Sequence, residues 1–276
     1  MPGGAAARAA FRDNVTVITG ASYGIGRELA LQLSRLDARL VLAARSRDRL
    51  AETARLCSGP GSAAAAPLTV VADVRRETDC ELIVQRALEA HGRLDTLIIN
   101  AGVSMHAPFA DIADTSQISR VLETNVLGAM YCTRFALPHL EKSRGRIVVM
   151  SSIAGRTGVP GYSVYAASKH ALLGFFESLR IEVRDYDVSV SIMMPDFVSS
   201  GIHEREVDGR GSPRGSQHRV DYDRVMDVPT CARMVIDAAA KRKRQVMMSW
   251  RGRLGQWVKL FAPGIVDEIA RRANRY

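Results

Sequence analysis

The chain has 276 residues, of which 47% are hydrophobic and 24% charged, and it carries a formal net charge of +9. That balance is ordinary for a water-soluble globular protein and excludes a collagenous or disordered chain. No run approaches the ~18 apolar residues of a membrane span, and no signal peptide is expected ahead of the first strand. The basic excess suits phosphorylated small molecules. No recognition motif accompanies it, so nucleic acid is not an expected partner. The four cysteines, Cys57, Cys80, Cys132 and Cys231, are widely spaced. Neither a metal site nor a disulfide framework is expected, and the chain reads as cytoplasmic with reduced thiols.

In chain order, residues 1–13 read as a flexible arm and residues 14–249 as one domain. An apolar run from Val15 to Ile18 leads into a turn holding Gly20, Gly24 and Gly26, and then into a good helix former over 27–33. A strand, a tight turn and a helix N-terminus form an anion site, because backbone N–H groups and the helix dipole converge. Further strands are predicted over 40–44, 68–72, 94–99, 146–150 and 188–193. Helices are predicted over 46–57, 78–91, 115–140 and 163–186. Residues 58–67 form a low-complexity loop. Strands of continuous apolar residues joined by helices predict an α/β fold, a doubly wound parallel sheet in a single Rossmann-like domain. Residues 199–226 are rich in glycine and charge, and they follow the sixth strand at the edge where ligands sit. We read them as a substrate lid.

Several residues carry chemistry. The second strand ends in Ala44-Arg45-Ser46 with no acid between Leu40 and Arg47. An acid there would bond the ribose hydroxyls of NAD, whereas Arg45 and Ser46 suit a 2′-phosphate. Asp73 and Val74 end the third strand, and Asn100, Ala101 and Gly102 end the fourth, where a dinucleotide crosses the sheet. Tyr165 and Lys169 lie four apart on one helix face. A nearby ammonium lowers a phenol pKa and makes proton exchange near neutral pH feasible. Ser152 stands just past the fifth strand, where its hydroxyl can hold a carbonyl oxygen.

Taken together, Thr19-Gly20-x-x-x-Gly24-x-Gly26, Asp73-Val74, Asn100-Ala101-Gly102, Asn125-Val126, Ser151-Ser152, Tyr165-x-x-x-Lys169 and Pro195 make the chain resemble the short-chain dehydrogenase/reductase family. The likeness spans about residues 15–200. Ala44-Arg45-Ser46, residues 151–155 and residues 174–176 are similar, more loosely, to its 11β-hydroxysteroid dehydrogenase branch. The resemblance implies Tyr165 as general acid or base and Lys169 as the residue that lowers its pKa and binds the nicotinamide ribose. It implies Ser152 as the residue that positions the substrate oxygen and Asn125 as the holder of a relay water. It places the cofactor on Gly20, Ser22, Tyr23, Gly24, Ile25 and Gly26, on the strand-end residues already named, and on Pro195, Phe197 and Val198. Two residues depart from the family pattern. Asp196 stands where a glycine usually follows Pro195, and Tyr23 stands where NADP-preferring members often carry a basic residue.

The expected activity is an NADP(H)-dependent oxidoreductase interconverting a hydrophobic ketone and an alcohol. Val103, Met105, Val159, Tyr162, Phe197 and Ile202 are its candidate substrate wall. The competing reading is a catalytically silent NADP-binding scaffold or sensor. The family resemblance implies a homodimer or homotetramer through the helices at 115–140 and 163–186. Residues 250–276 repeat apolar residues at helical spacing among arginines, interrupted by Pro263-Gly264. Such a basic amphipathic extension packs in the protein or an oligomer, covers the site, or contacts a membrane surface peripherally; packing is favoured.

Overall fold

Five runs rich in β-branched and aliphatic residues form strands that bury nearly every side chain: β1 (Val15–Thr19), β2 (Arg39–Ala44), β4 (Thr96–Ile99), β5 (Arg146–Met150) and β6 (Ser189–Met194). β3 (Leu68–Val71) and β7 (Gln245–Met247) complete the sheet at its edges and are more exposed. The computed structural model describes residues 4–58, 65–202, 206–213 and 225–273. All strands pair in parallel, in the order β3-β2-β1-β4-β5-β6-β7. The helices are α1 (Gly4–Phe11), α2 (Gly24–Ser34), α3 (Arg47–Cys57), α4 (Glu77–His91), α5 (Ser116–Leu122), α6 (Gly128–Ser143), α7 (Ser163–Glu182), α8 (Val228–Ala240), α9 (Trp250–Phe261) and α10 (Pro263–Ala273).

Successive strand residues face opposite sides, so the sheet feeds two cores. Val17, Leu97 and Val149 pack with Ile83, Cys132 and Phe176 of α4, α6 and α7. Ile18, Leu42 and Val148 pack with Leu29 and Val235 of α2 and α8 on the other side. Truncating a side chain as enclosed as Phe176 costs about 3–5 kcal/mol. The doubly wound expectation is therefore met.

Four expectations change. The N-terminal residues are not an arm over 4–11: α1 packs on α8 and buries Ala7 and Phe11, which share one helix face. The helix expected over 115–140 is not uniform, because Glu123–Leu127 form a wider, π-type turn between α5 and α6. In the proposed lid, residues 206–213 are pinned to the body, with Val207 bridging Met105 and Pro213. The rest of that segment at 203–205 and 214–224, like residues 59–64 of the low-complexity loop, lies outside the described residues. Finally, β7 extends the sheet beyond the sixth strand, and α8 between them packs against α2.

Candidate active site

Strand order reverses between β1 and β4, which opens a crevice at their carboxyl ends. Thr19 Oγ1 accepts the N–H groups of Asn100 (3.0 Å) and Ala101 (3.1 Å). Asn100 Nδ2 donates to the carbonyls of Thr19 and Gly20, both at 3.1 Å. Asn100 therefore braces the glycine turn. A Cβ on Gly26 would lie 2.3 Å from the Gly20 carbonyl, so α2 can approach the turn this closely only as glycine. Gly26 sits behind the turn, while Gly20, Ser22, Tyr23, Gly24 and Ile25 line the cleft. Tyr23 precedes α2 without a side-chain cap. The first-turn N–H groups are thus left to an anion. The turn at Ser200 and Gly201 rests on this loop, since a Cβ on Gly24 would meet the Ser200 carbonyl at 2.5 Å.

Arg45 and Ser46 end β2 at the same cleft, joined by Arg49 from the first turn of α3. These basic groups, the glycine turn and the uncapped helix fit a phosphorylated dinucleotide. Asp73 and Val74 line the far side with Ala101 and Gly102. Asp73 accepts from Arg75 Nε (3.0 Å) and Nη2 (2.6 Å). Burial raises its pKa, and the Arg75 contacts outweigh that and hold it low.

At the nicotinamide end, α7 presents half-buried Tyr165 and buried Lys169. The Lys169 ammonium lies 5.6 Å from the Tyr165 ring centroid and donates to the Met150 carbonyl at 2.9 Å. Ser152 begins a short turn, accepts the Ala154 N–H at 3.2 Å, and hydrogen-bonds the Tyr165 hydroxyl. Burial pushes Tyr165 up to about 12 against the lowering effect of Ser152, and the Glu206 carboxylate adds to the rise. Burial alone pushes Lys169 down to about 8. The expected lowering of the phenol by the ammonium is thus not what this geometry gives: desolvation dominates both groups. Asn125, in the wide turn, accepts the Val103 N–H (2.8 Å) and donates to the Val103 carbonyl (2.9 Å) and Ser168 Oγ (3.0 Å). Its side chain ties the strand-four loop to α7.

The cavity measures about 810 Å³. Pro195, Phe197 and Val198 line it with Val103, Val159, Tyr162 and Ile202. Met105 does not belong to this wall. It is 2% exposed and packs with Val121, Val164 and Val207, because its bridge to Val207 turns it inward. Behind the wall, buried Glu206 accepts from Ser104 Oγ (2.7 Å) and Tyr162 Oη (3.3 Å). Asp196 also faces the cavity, and α9 and α10 close its rim with Arg251, Gly252, Lys259 and Val266.

The family model described as short chain dehydrogenase matches residues 14–211. The chain belongs to the short-chain dehydrogenase/reductase family. This dehydrogenase is 35% identical over 261 residues to the 11-beta-hydroxysteroid dehydrogenase-like 4A of Arabidopsis thaliana, covering 94% of this chain and 84% of that protein. It is 37% identical over 259 residues to 11-beta-hydroxysteroid dehydrogenase 1A of the same plant, covering 92% of this chain and 73% of the relative. The branch suggested by Ala44-Arg45-Ser46 is therefore the branch of these relatives. Among solved structures, a short chain dehydrogenase/reductase from Burkholderia phymatum in complex with NAD superposes with a TM-score of 0.79 at 25% identity, covering 92% of this chain and 95% of that one. An alcohol dehydrogenase from the archaeon Thermococcus sibiricus, complexed with 5-hydroxy-NADP, shares the fold with a TM-score of 0.73 at 23% identity, covering 85% and 95% of the two chains. The dehydrogenase is an oxidoreductase of a nicotinamide-dependent family. Sequence reasoning missed Arg49 and Asp196 as cavity residues, whereas α9 lies at the rim, where one of the readings of the 250–276 extension put it. Arg49 had a signal, because it stands in the first turn of the helix that opens after Ser46, next to the strand end that carries Arg45.

Proposed function

We propose that this dehydrogenase interconverts a hydrophobic ketone and its secondary alcohol with NADP(H), in a domain spanning 14–249 whose cavity is rimmed by α9 and α10 of the 250–276 extension. The observation that carries this reading is the meeting of Tyr165, Ser152 and Lys169 in one largely apolar cavity that opens onto the glycine turn. The cofactor, when bound, supplies or accepts the hydride. In reduction, Ser152 Oγ donates to the substrate oxygen and holds it beside Tyr165. The Tyr165 hydroxyl then gives that oxygen its proton, and in oxidation the phenolate takes a proton back. Lys169, already a buried cation near the ring, opposes protonation of the phenolate once formed and is placed to bond a ribose hydroxyl. The Asn125 side chain is occupied by Val103 and Ser168, so a relay water falls to its main-chain carbonyl.

Arg45 and Arg49 on the cleft, with no acid in residues 40–47, favour NADP over NAD through charge-assisted bonds to a 2′-phosphate. Leu122, Leu127 and Ile181 are exposed on α5, the wide turn and α7, which supports a homodimer or homotetramer through those helices. The four free, buried cysteines support a cytoplasmic, reducing location.

The test is oxidation of NADPH, with NADH in parallel, against a panel of apolar ketones and aldehydes. Turnover with NADPH that drops about 10²–10⁴-fold in Tyr165→Phe, with cofactor binding retained, is the expected result. Tight NADPH binding with no turnover on any carbonyl would return the protein to a silent scaffold or sensor.

A further inference from the structure

We propose that Glu206 is a positioning residue of the reaction: it fixes the wall beside Tyr165 through Tyr162, and its negative charge keeps the transferable proton on the Tyr165 oxygen. Glu206 is 1% exposed and stands behind a largely apolar wall. Burying a carboxylate there costs folding free energy that an apolar side chain does not. The cost is offset by hydroxyls. Glu206 Oε1 accepts from Ser104 Oγ at 2.7 Å, and Oε2 accepts from Tyr162 Oη at 3.3 Å. Both donors belong to residues that line the cavity. The backbone holds these segments together. The Val207 carbonyl accepts the His106 N–H at 3.0 Å, and the Gly161 carbonyl accepts the Ala107 N–H at 2.9 Å. Three stretches far apart in the chain, 104–107, 161–165 and 206–207, thus meet at one carboxylate.

The path from Glu206 to the chemistry is short. Tyr162 immediately precedes α7 and stands three residues before Tyr165. Its ring is edge-on to the Tyr165 ring, with centroids 6.2 Å apart, and edge-on to the His106 ring at 4.5 Å. The hydroxyl bonded to Glu206 therefore sets where the Tyr162 ring leans, and that ring borders the phenol. The carboxylate also acts by its charge. In a buried site it opposes a second negative charge on the Tyr165 oxygen, whereas the Lys169 ammonium on α7 favours one. Burial is the larger cause of the rise at Tyr165; Glu206 adds to it, and the Ser152 bond works against both. Other titratable groups around the carboxylate include His106 on the loop after β4 and Tyr162 itself. Asp208, two residues on, is engaged by the Arg210 and Ser212 N–H groups. Asp196 faces the cavity from the loop after β6, bonded to Ser249. The role of Glu206 rests on the proposed activity of Tyr165.

The test separates charge from shape in the full chain. Glu206→Gln keeps the size and loses the charge, whereas Glu206→Asp keeps the charge and shortens the side chain. At saturating NADP+, the pH profile of kcat/KM for an alcohol reports the ionisation of Tyr165. The expected result is a profile moved toward lower pH by about one unit in Glu206→Gln, and one close to the parent's in Glu206→Asp. Glu206→Asp instead raises KM several-fold, because the shorter carboxylate draws back from Tyr162. A merely structural role predicts the reverse order, with the shorter side chain doing the greater damage and neither profile moving. Thermal melts and NADPH binding check that each variant is folded. An unmoved profile in Glu206→Gln, or a shift as large in Glu206→Asp, overturns the proposal. If no alcohol or ketone is turned over, the proposed activity has failed, and the charge effect is still read from the ultraviolet absorption of the Tyr165 phenolate. Taken as the difference from Tyr165→Phe in each background, that absorption is expected to emerge at lower pH in Glu206→Gln. Emergence at the parent's pH likewise overturns the proposal.

Discussion

Asp196 and Ser249, 53 residues apart, share a hydrogen bond of 2.8 Å in which the Ser249 hydroxyl donates to the carboxylate. The other carboxylate oxygen accepts the Phe197 N–H at 3.0 Å, and Ser249 Oγ accepts the Gly252 N–H at 3.0 Å. The residue that replaces the usual glycine thus connects the loop after β6 to the first turn of α9. It positions the helix that walls the cavity.

Asp196→Gly removes that tie. A hydrogen bond to a charged group contributes about 1.5–3 kcal/mol, and partial exposure of Asp196 puts this one at the low end. Amide exchange over 250–261 is expected to quicken about tenfold, and KM for an apolar ketone to rise several-fold with kcat little changed. Asp196→Asn keeps an acceptor and stays near the parent. Exchange mass spectrometry with steady-state kinetics checks this, and unchanged protection of α9 in Asp196→Gly would sink it.

Cofactor choice is expected to turn on the end of β2. Arg45→Asp places a carboxylate where ribose hydroxyls lie in an NAD complex and removes a partner of the 2′-phosphate. KM for NADPH should rise at least about tenfold, and KM for NADH should fall. Arg49→Ala should weaken NADPH alone, by a smaller factor. A protein that keeps its NADPH preference in both variants would show that the phosphate is held elsewhere.

Much of this was legible from the order of residues. Strands buried on both faces need continuous apolar runs, so β1, β2, β4, β5 and β6 announce themselves, and the glycine turn sits where one such run stops. Helix periodicity puts Tyr165 and Lys169 on one face and Ser152 stands at the end of β5, but it is the family resemblance that assigns these three their roles. What stayed hidden depends on contacts between distant segments. Met105 looked like a wall residue until its bridge to Val207 buried it. Ala7 and Phe11 looked like an arm because α8, their partner, lies more than two hundred residues away. Burial of the phenol and the ammonium together, which sets the sign of both pKa shifts, is likewise a property of the packed site.

Two glycine substitutions separate packing from propensity. A Cβ on Gly26 would lie 2.3 Å from the Gly20 carbonyl and 2.5 Å from Asn100 Nδ2, so the glycine turn must move. Gly26→Ala is expected to weaken NADPH binding at least about tenfold and to lower Tm by several degrees. A Cβ on Gly174, inside α7, would meet nothing within 4 Å. Gly174→Ala should stabilise the protein by roughly 0.5–1 kcal/mol through helix propensity alone. Titration calorimetry and thermal melts of the pair decide the matter, and equal effects would refute the steric argument.

Lys169 links function to a stability cost whose pH dependence has a definite sign. Burial lowers its pKa from 10.5 to about 8, so between these values the folded protein binds fewer protons than the unfolded chain. Stability therefore rises with pH across that window, and below pH 8 the cost of burying the cation stands in full. Tyr165 works in the opposite sense, because its shift from 10.0 to about 12 makes stability fall as pH rises above 10. Lys169→Met removes the first effect and leaves the second in both proteins. The cation's cost is at most about 3 kcal/mol, and loss of the bond to the Met150 carbonyl takes back about 1 kcal/mol. We expect the variant to melt roughly 5 °C higher than the parent at neutral pH, with the gap closing toward about pH 10, while turnover is lost. Melts of both proteins across that range measure the gap directly. A gap that does not narrow with rising pH would mean that Lys169 is not held at a cost, and that its ammonium is better solvated than the geometry implies.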